Sequence, residues 1–403
     1  TGRVAGTTNP CARRAPTARR GPATPFRSTR SALPARIQNI EIVRFKMARP
    51  LLVLLHLSCA STALQVTSST SQSAPAAGMA SSAAADVVET ELLPFIRVYK
   101  SGRVERLLGT DTVPASFDAP TGVASKDVVI DPATGVSVRL YLPPAAAASG
   151  GEGKKLPVLV YFHGGGFMVE TAASPTYHRY LNALAARAGV LAVSAEYRRV
   201  PEHPLPAAYD DSWAALAWAV AGSAPGGPEP WLAAHGDASR VFLAGDSAGA
   251  NIAHNVALRA AAEGLPRPCA AIVGVLLVHP YFWDPTNAMA PALEVRIRNE
   301  WRFMCARPDA GVDDPRFCPT CAEAAPRLAA LPCERAMVAV AGDDFLAVKG
   351  RAYHAALLAS GWRGEAELVD TPGQDHVFHL MRPGTEAAAE MLDRVAGFIS
   401  RAA

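Results

Sequence analysis

The pentapeptide Gly245-Asp246-Ser247-Ala248-Gly249 joins an apolar run, Val241-Phe-Leu-Ala244, to a stretch patterned as a helix through Asn251, Ile252, His254 and Val256. Glycine on both sides of the serine lets the backbone turn sharply, so the hydroxyl stands clear at a strand's carboxyl end beside a helix N-terminus. A nucleophile for acyl transfer would sit there, although an ordinary Gly-Ser turn can share the pattern. Upstream, His163-Gly164-Gly165-Gly166-Phe167 follows a second apolar run, Pro157-Val-Leu-Val-Tyr-Phe162. Consecutive glycines are costly in conformational entropy and occur where backbone must pass close to something. The N–H groups of Gly164 and Gly165, with that of Ala248, are the expected donors to the oxyanion of a tetrahedral intermediate.

A serine hydroxyl is a poor nucleophile at neutral pH, so a base must take its proton and a carboxylate must fix the tautomer of that base. Both partners are expected on loops after later strands, in the chain order serine, acid, histidine. Asp343 and Asp344 follow the apolar run Ala336-Met-Val-Ala-Val-Ala341, and His376 follows the strand-like Glu365-Ala-Glu-Leu-Val369. Either aspartate fits the acid on this ground, and His376 is the expected base. His203, His235, His254, His279 and His379 fall outside the expected place after the acid and read as structural or exposed. Cys318-Pro-Thr-Cys321 has the spacing of half a zinc or redox site, but no second pair with ligand spacing accompanies it. No metal and no cofactor are expected.

The elements that must position these groups are legible in outline. Val128-Val-Ile130 and Val136 to Leu142 alternate as half-buried strands around the turn Asp131-Pro-Ala-Thr-Gly135. Continuous apolar runs follow at Pro157 to Phe162, Val190 to Ser194, Val241 to Ala244, Ala271 to Val278 and Ala336 to Ala341, as in strands buried on both faces. Ala-rich helical stretches separate them, at Tyr177 to Ala188, Asp210 to Ala221, Ala248 to Ala262 and Gly350 to Ser360. The alternation predicts an α/β fold with a doubly wound, mostly parallel sheet. Trp283, Trp301, Phe303 and Met304 lie in the insertion between the strands ending at Val278 and beginning at Ala336, where they line a pocket or pack a core.

Half of the 403 residues are hydrophobic, enough for a sizeable core, and a net charge of +3 gives no reason to expect nucleic acid as a partner. The seven scattered cysteines read as mostly free thiols, with no disulfides implied. From Thr1 to Ile40 there is no acidic residue, while arginine recurs among Ala, Pro, Ser and Thr. Leu51-Leu-Val-Leu-Leu-His-Leu57 is then too short to span a membrane. Residues 1–78 are therefore expected to be a targeting segment, a non-native leader or a disordered tail, and residues 79–403 the folded domain. The corresponding location is the cytoplasm if translation starts at Met79, and a plastid or the secretory route if the leader is genuine.

The ordered motifs together resemble the plant carboxylesterases of the hormone-sensitive-lipase-like group, relatives of the gibberellin receptors and the 2-hydroxyisoflavanone dehydratases. The segment from Glu196 through Arg198, Pro201 and Pro204 to Asp211 is similar to that family's strand-to-loop stretch, and Phe95 to Leu107 to its N-terminal stretch. The resemblance implies an α/β-hydrolase fold with a helical cap drawn from the N-terminal segment and the late insertion. It implies Ser247 as nucleophile, His376 as base, Asp344 rather than Asp343 as acid, and Glu202 as a loop anchor. The implied activity is hydrolysis of small or short-acyl carboxylic esters. Val348 stands where the family often has a second aspartate, and Cys318 where it usually has asparagine. A dehydratase using the same site is the alternative, weakened by Ser247, where some dehydratases carry threonine. A hormone-binding receptor is weakened by His376, which the receptors replace.

Overall fold

The computed structural model describes residues 86–144, 155–287 and 290–401. The leader expected over residues 1–78 and most of the loop expected over Ala145 to Lys155 lie outside them. Where the sequence alternates with period two, the chain forms strands: β1 (Val88–Leu92), β2 (Ile96–Tyr99) and β3 (Val104–Arg106) pair antiparallel as a small sheet of their own. After the short β4 (Phe117–Asp118), β5 (Val123–Asp131) and β6 (Val136–Leu142) form the expected hairpin. Gly135 supplies its turn with φ +77.

From there strand and helix alternate: β7 (Leu156–Phe162), α1 (Pro175–Ala188), β8 (Leu191–Glu196), α2 (Ala207–Gly222), the short α3 (Pro230–His235), β9 (Gly236–Asp246) and α4 (Ala248–Glu263). The second half runs β10 (Ile272–Val278), α5 (Pro291–Met304), β11 (Arg335–Ala341), α6 (Ala347–Ala359), β12 (Glu365–Thr371), the single turn α7 (Phe378–Met381) and α8 (Glu386–Ser400). The main sheet has the order β12-β11-β10-β9-β7-β8-β6-β5-β4. Pairing is parallel from β12 to β8 and antiparallel from β6 outward. Every residue of β10 is buried, as expected of a central strand covered on both faces.

Two sequence expectations are corrected. Among the described residues, the N-terminal contribution to the cap is the sheet β1–β3 and not a helix, because Val88 to Arg106 runs as extended backbone, turning at Gly102 (φ +86). Among the described residues, only the late insertion contributes a cap helix, α5. Cys318 and Cys321 are not free thiols: their Cα atoms lie 5.4 Å apart and their sulfurs are joined in a disulfide. Cys305 and Cys333 are free and buried.

Candidate active site

β7 and β9 are sheet neighbours, and their register sets Phe162 opposite Gly245. The glycine loop leaving β7 and the serine turn leaving β9 must therefore emerge side by side. Ser247 occupies that turn with φ +53 and ψ −119, a region that costs about 1–3 kcal/mol for a residue with a Cβ. The conformation is held by Ser247 N–H donating to Val278 O (2.9 Å) and by Tyr281 N–H donating to Ser247 O (3.0 Å). A Cβ on Gly249 would run into the carbonyl oxygens of Phe162 and His163, so glycine is required there by close approach to the neighbouring loop.

His376 Nε2 lies 2.9 Å from Ser247 Oγ, and His376 Nδ1 lies 2.7 Å from Asp344 Oδ2. Asp344 is buried and its Oδ1 accepts the Leu346 N–H, while Asp343 is exposed and its own N–H donates to Gln374 O. Of the two candidate acids, only Asp344 meets the histidine. The loop bearing His376 is shaped by a residue that sequence reasoning set aside. Val377, at φ +48, donates its N–H to His279 Nδ1 (2.9 Å), and the two imidazole centroids lie 5.8 Å apart. Burial keeps His279 well below its ordinary pKa and so neutral, an acceptor at Nδ1. Ligand atoms of His279, Asp344 and His376 lie within 4.8 Å of one another, the one such metal-sized group among the described residues. Asp344 and His376 bond each other, and His279 Nδ1 is taken by the Val377 N–H.

The three expected oxyanion donors are not equivalent. Gly164 N–H already donates to Tyr177 Oη (2.8 Å) and does not line the cavity, whereas Gly165 and Gly166 do. Among the described residues the N–H groups of Gly165, Gly166 and Ala248 have no acceptor. Gly164 is thus removed from the donor set, because its N–H secures the loop instead. Tyr177 Oη in turn donates to Asp246 Oδ2 (2.9 Å), and Tyr161 Oη donates to Asp246 Oδ1 (2.8 Å). Burial raises Asp246 to about 6, and the two phenol hydrogen bonds counter part of that rise. The residue beside the serine thereby clamps the glycine loop to the turn.

On the other side of the loop, Tyr197 stacks on His163 at 4.2 Å, and its hydroxyl donates to His163 O (2.7 Å). Val200 N–H donates to Phe167 O, which explains why the stretch from Glu196 to Asp211 belongs to the site. Glu202 anchors that stretch through two hydrogen bonds from Arg106 on β3 (2.9 and 2.8 Å). Asp246, Tyr177, Tyr161 and Tyr197 carried no sequence signal beyond their neighbours, since their partners lie far away along the chain.

Above Ser247 and His376 opens a cavity of about 430 Å³. Its wall comes from the N-terminal sheet (Pro94, Phe95, Leu108), from Phe345 and Met381, and from one face of α5 (Leu293, Arg296, Ile297, Glu300, Met304). Of the four insertion residues weighed as pocket or core, Met304 lines the cavity. Trp301 is fully buried and stacked on Phe317 at 4.4 Å, and Trp283 packs in the core. A strained serine bonded to a histidine, that histidine bonded to a buried carboxylate, free backbone donors and an apolar cavity form the equipment of covalent acyl transfer.

Comparison with known proteins gives the same class. Residues 159–380 match the family model described as the alpha/beta hydrolase fold. A tuliposide A-converting enzyme of Tulipa gesneriana, named as chloroplastic, is 49% identical over 343 residues, covering 84% of this chain and 85% of the relative. Because 84% of the chain exceeds the stretch from Met79 to the last residue, that similarity reaches upstream of Met79. A probable carboxylesterase of Arabidopsis thaliana is 46% identical over 322 residues, 77% of this chain and 98% of the relative. The solved structure of EstE1, a thermophilic carboxylesterase from a metagenomic library, superposes with TM-score 0.56 at 26% identity, over 72% of this chain and 90% of its own. The chain belongs to the α/β-hydrolase family, within the group of plant carboxylesterases. It is a carboxylic ester hydrolase. Among the described residues no helix is long and apolar enough to cross a membrane.

Proposed function

We propose that the chain hydrolyses small or short-acyl carboxylic esters through an acyl-enzyme on Ser247. The observation that carries this reading is the unbroken hydrogen-bonded line Ser247–His376–Asp344 beneath the cavity, with Ser247 in a strained turn. His376 Nε2 takes the proton as Ser247 Oγ attacks the ester carbonyl, and Asp344 holds the proton on Nδ1 and stabilises the imidazolium. The oxyanion is met by the N–H groups of Gly165, Gly166 and Ala248, fixed in advance of the reaction. His376 then returns the proton to the leaving alcohol, and water, activated by the same histidine, cleaves the acyl-serine. A screen of p-nitrophenyl esters of increasing acyl length, run beside Ser247→Ala, tests the reading. Rates should be highest for short acyl groups and fall by several orders of magnitude in the variant. A folded Ser247→Ala protein that keeps most of its activity would sink it. Tuliposide A joins the substrate set because a relative is named for converting it.

The catalytic domain, on this reading, occupies residues 79–403, and the arginine-rich segment before it directs the chain to plastids rather than leaving it in the cytoplasm. The acid-free composition of Thr1 to Ile40 and the chloroplastic name of a relative support this. Residues 1–78 fused to a fluorescent protein should enter plastids of plant cells. Cytoplasmic fluorescence would return the assignment to the cytoplasm.

A further inference from the structure

Cys318 and Cys321 sit where several parts of the site meet. Between them, Thr320 Oγ donates to Asp284 Oδ2 (2.6 Å) in the segment that follows β10. Just before them, Arg316 O accepts from Asn251 Nδ2 on the serine helix α4 (2.9 Å), and Phe317 O accepts from Trp283 N–H (2.8 Å). The buried Phe317 ring stacks on Trp301 of α5 at 4.4 Å and meets Tyr281 at 4.9 Å. The turn that the disulfide closes therefore seats α5, and α5 carries Ile297 and Met304 on the cavity wall. The two sulfurs differ in reach: Cys318 is buried, whereas Cys321 is partly exposed. A thiolate arriving from solvent meets Cys321 Sγ first, with Cys318 Sγ as the leaving group and Thr320 Oγ 4.0 Å from it. Among the described residues the two free thiols do not compete, since burial raises Cys305 and pushes Cys333 to about 12, keeping both protonated. A bond between residues only three apart constrains the unfolded chain little, so its loss alters the local turn and leaves the fold in place.

We propose that Cys318–Cys321 is a site of reversible thiol–disulfide exchange with a dithiol reductant, and that its reduction loosens the cavity wall. One thiolate of the reductant attacks Cys321 Sγ, the S–S bond breaks, and Cys318 leaves as a thiolate that takes up a proton. The reductant's second thiolate then displaces Cys321 from the mixed disulfide, so the reductant is oxidised to a disulfide and the chain holds two thiols. Freed of the bond, the turn lets Phe317 shift against Trp301, and α5 moves with it. The Ser247–His376–Asp344 line takes no hydrogen bond from this turn, so substrate binding changes and turnover does not. Read through hydrolysis, the proposal rests on the esterase reading above; read through fluorescence, it does not.

The test treats the protein with dithiothreitol, removes the reagent under nitrogen and assays p-nitrophenyl butanoate hydrolysis beside a Cys318→Ala, Cys321→Ser double variant. Alkylation in denaturant and peptide mass spectrometry should find both cysteines reduced in a chain that had kept its cooperative melt. KM should rise by about threefold or more with kcat within about twofold, the pattern of lost ground-state binding. Tryptophan emission should shift as well, since Trp283 and Trp301 flank Phe317. The double variant should carry the raised KM from the start and not respond to the dithiol; Cys321→Ser alone serves if the double variant does not fold. A pair still oxidised in the folded chain, a reduced pair with unchanged KM, or a variant that responds as the wild type does would overturn the proposal. Absence of Ser247-dependent hydrolysis would instead overturn the esterase reading, and the emission shift, present or absent, would then decide the exchange site.

Discussion

The floor and the wall of the cavity are built differently. On the floor, each group is fixed by directional hydrogen bonds: Ser247 N–H to Val278 O at the end of β10, His376 to Asp344 with its neighbour Val377 held by His279, and the glycine loop by Tyr177, Asp246 and Tyr197. The wall is mostly apolar side chains of α5 and β1–β3, joined by few polar ties, such as Arg296 to Leu93 O and Leu205 N–H to Met304 O. A reacting geometry tolerates little displacement, whereas apolar contacts are non-directional and permit substitution. The difference teaches where change should act: on turnover at the floor, on substrate preference at the wall.

The sharpest way to break this comparison is at the two adjacent aspartates. Asp344→Asn keeps the shape but lets the side chain offer an amide to His376 Nδ1, and in triads the loss of tautomer control lowers turnover by about four orders of magnitude. Asp343→Asn should leave kcat nearly unchanged and cost no more than about 1 kcal/mol of stability. Steady-state kinetics of the pair decide it, and a larger catalytic loss at Asp343 would exchange the assignment.

A smaller effect is expected one step from the chemistry. Tyr177→Phe removes the acceptor of the Gly164 N–H and a donor to buried Asp246, so the glycine loop loses its clamp. The expected loss in kcat is about tenfold to a hundredfold, less than the removal of a donor to the oxyanion itself. KM should change little. A variant with wild-type kcat would show that the loop holds its shape without the clamp.

The smallest effect concerns stability. Burial lowers His163, His254 and His379 to about 3 from an ordinary 6.5. The folded chain then binds fewer protons than the unfolded one between those values. The stabilisation tied to these histidines is complete above 6.5 and is lost as pH falls through that window. Asp246, raised to about 6 from 3.8, acts in the opposite sense over its narrower window, but it is one group against three. The melting temperature should therefore fall between about pH 7 and about pH 5. A constant or rising melting temperature would contradict the assignment of these histidines as buried and neutral.

How far the sequence could be read follows the same division. The central strands were legible because runs such as Ile272 to Val278 are apolar throughout, and the serine turn because glycines flank it. Asp344 was separated from Asp343 by resemblance alone; in the structure its Oδ2 lies 2.7 Å from His376 Nδ1. Gly164 was misread as a donor because the residue that takes its N–H, Tyr177, lies on α1 and leaves no spacing signal near the glycines. The Asp246 clamp and the His279 support are invisible for the same reason: their partners, Tyr161 and Tyr177 for Asp246 and Val377 for His279, lie far along the chain. In the cap, the family resemblance implied helix where the stretch from Val88 onward forms strands. The cysteine pair was read as free thiols because a separation of three residues alone does not reveal how the chain turns between them.

Covalent capture of the nucleophile tests the central claim most directly. A fluorophosphonate reacts with a serine only when a neighbouring base activates it, and the phosphonyl group stays bound. Intact-mass and peptide mass spectrometry of the treated protein should find one phosphonyl group per chain, on Ser247, with labelling strongly slowed in His376→Ala. Labelling at another residue, or a folded chain that takes up none, would contradict the account.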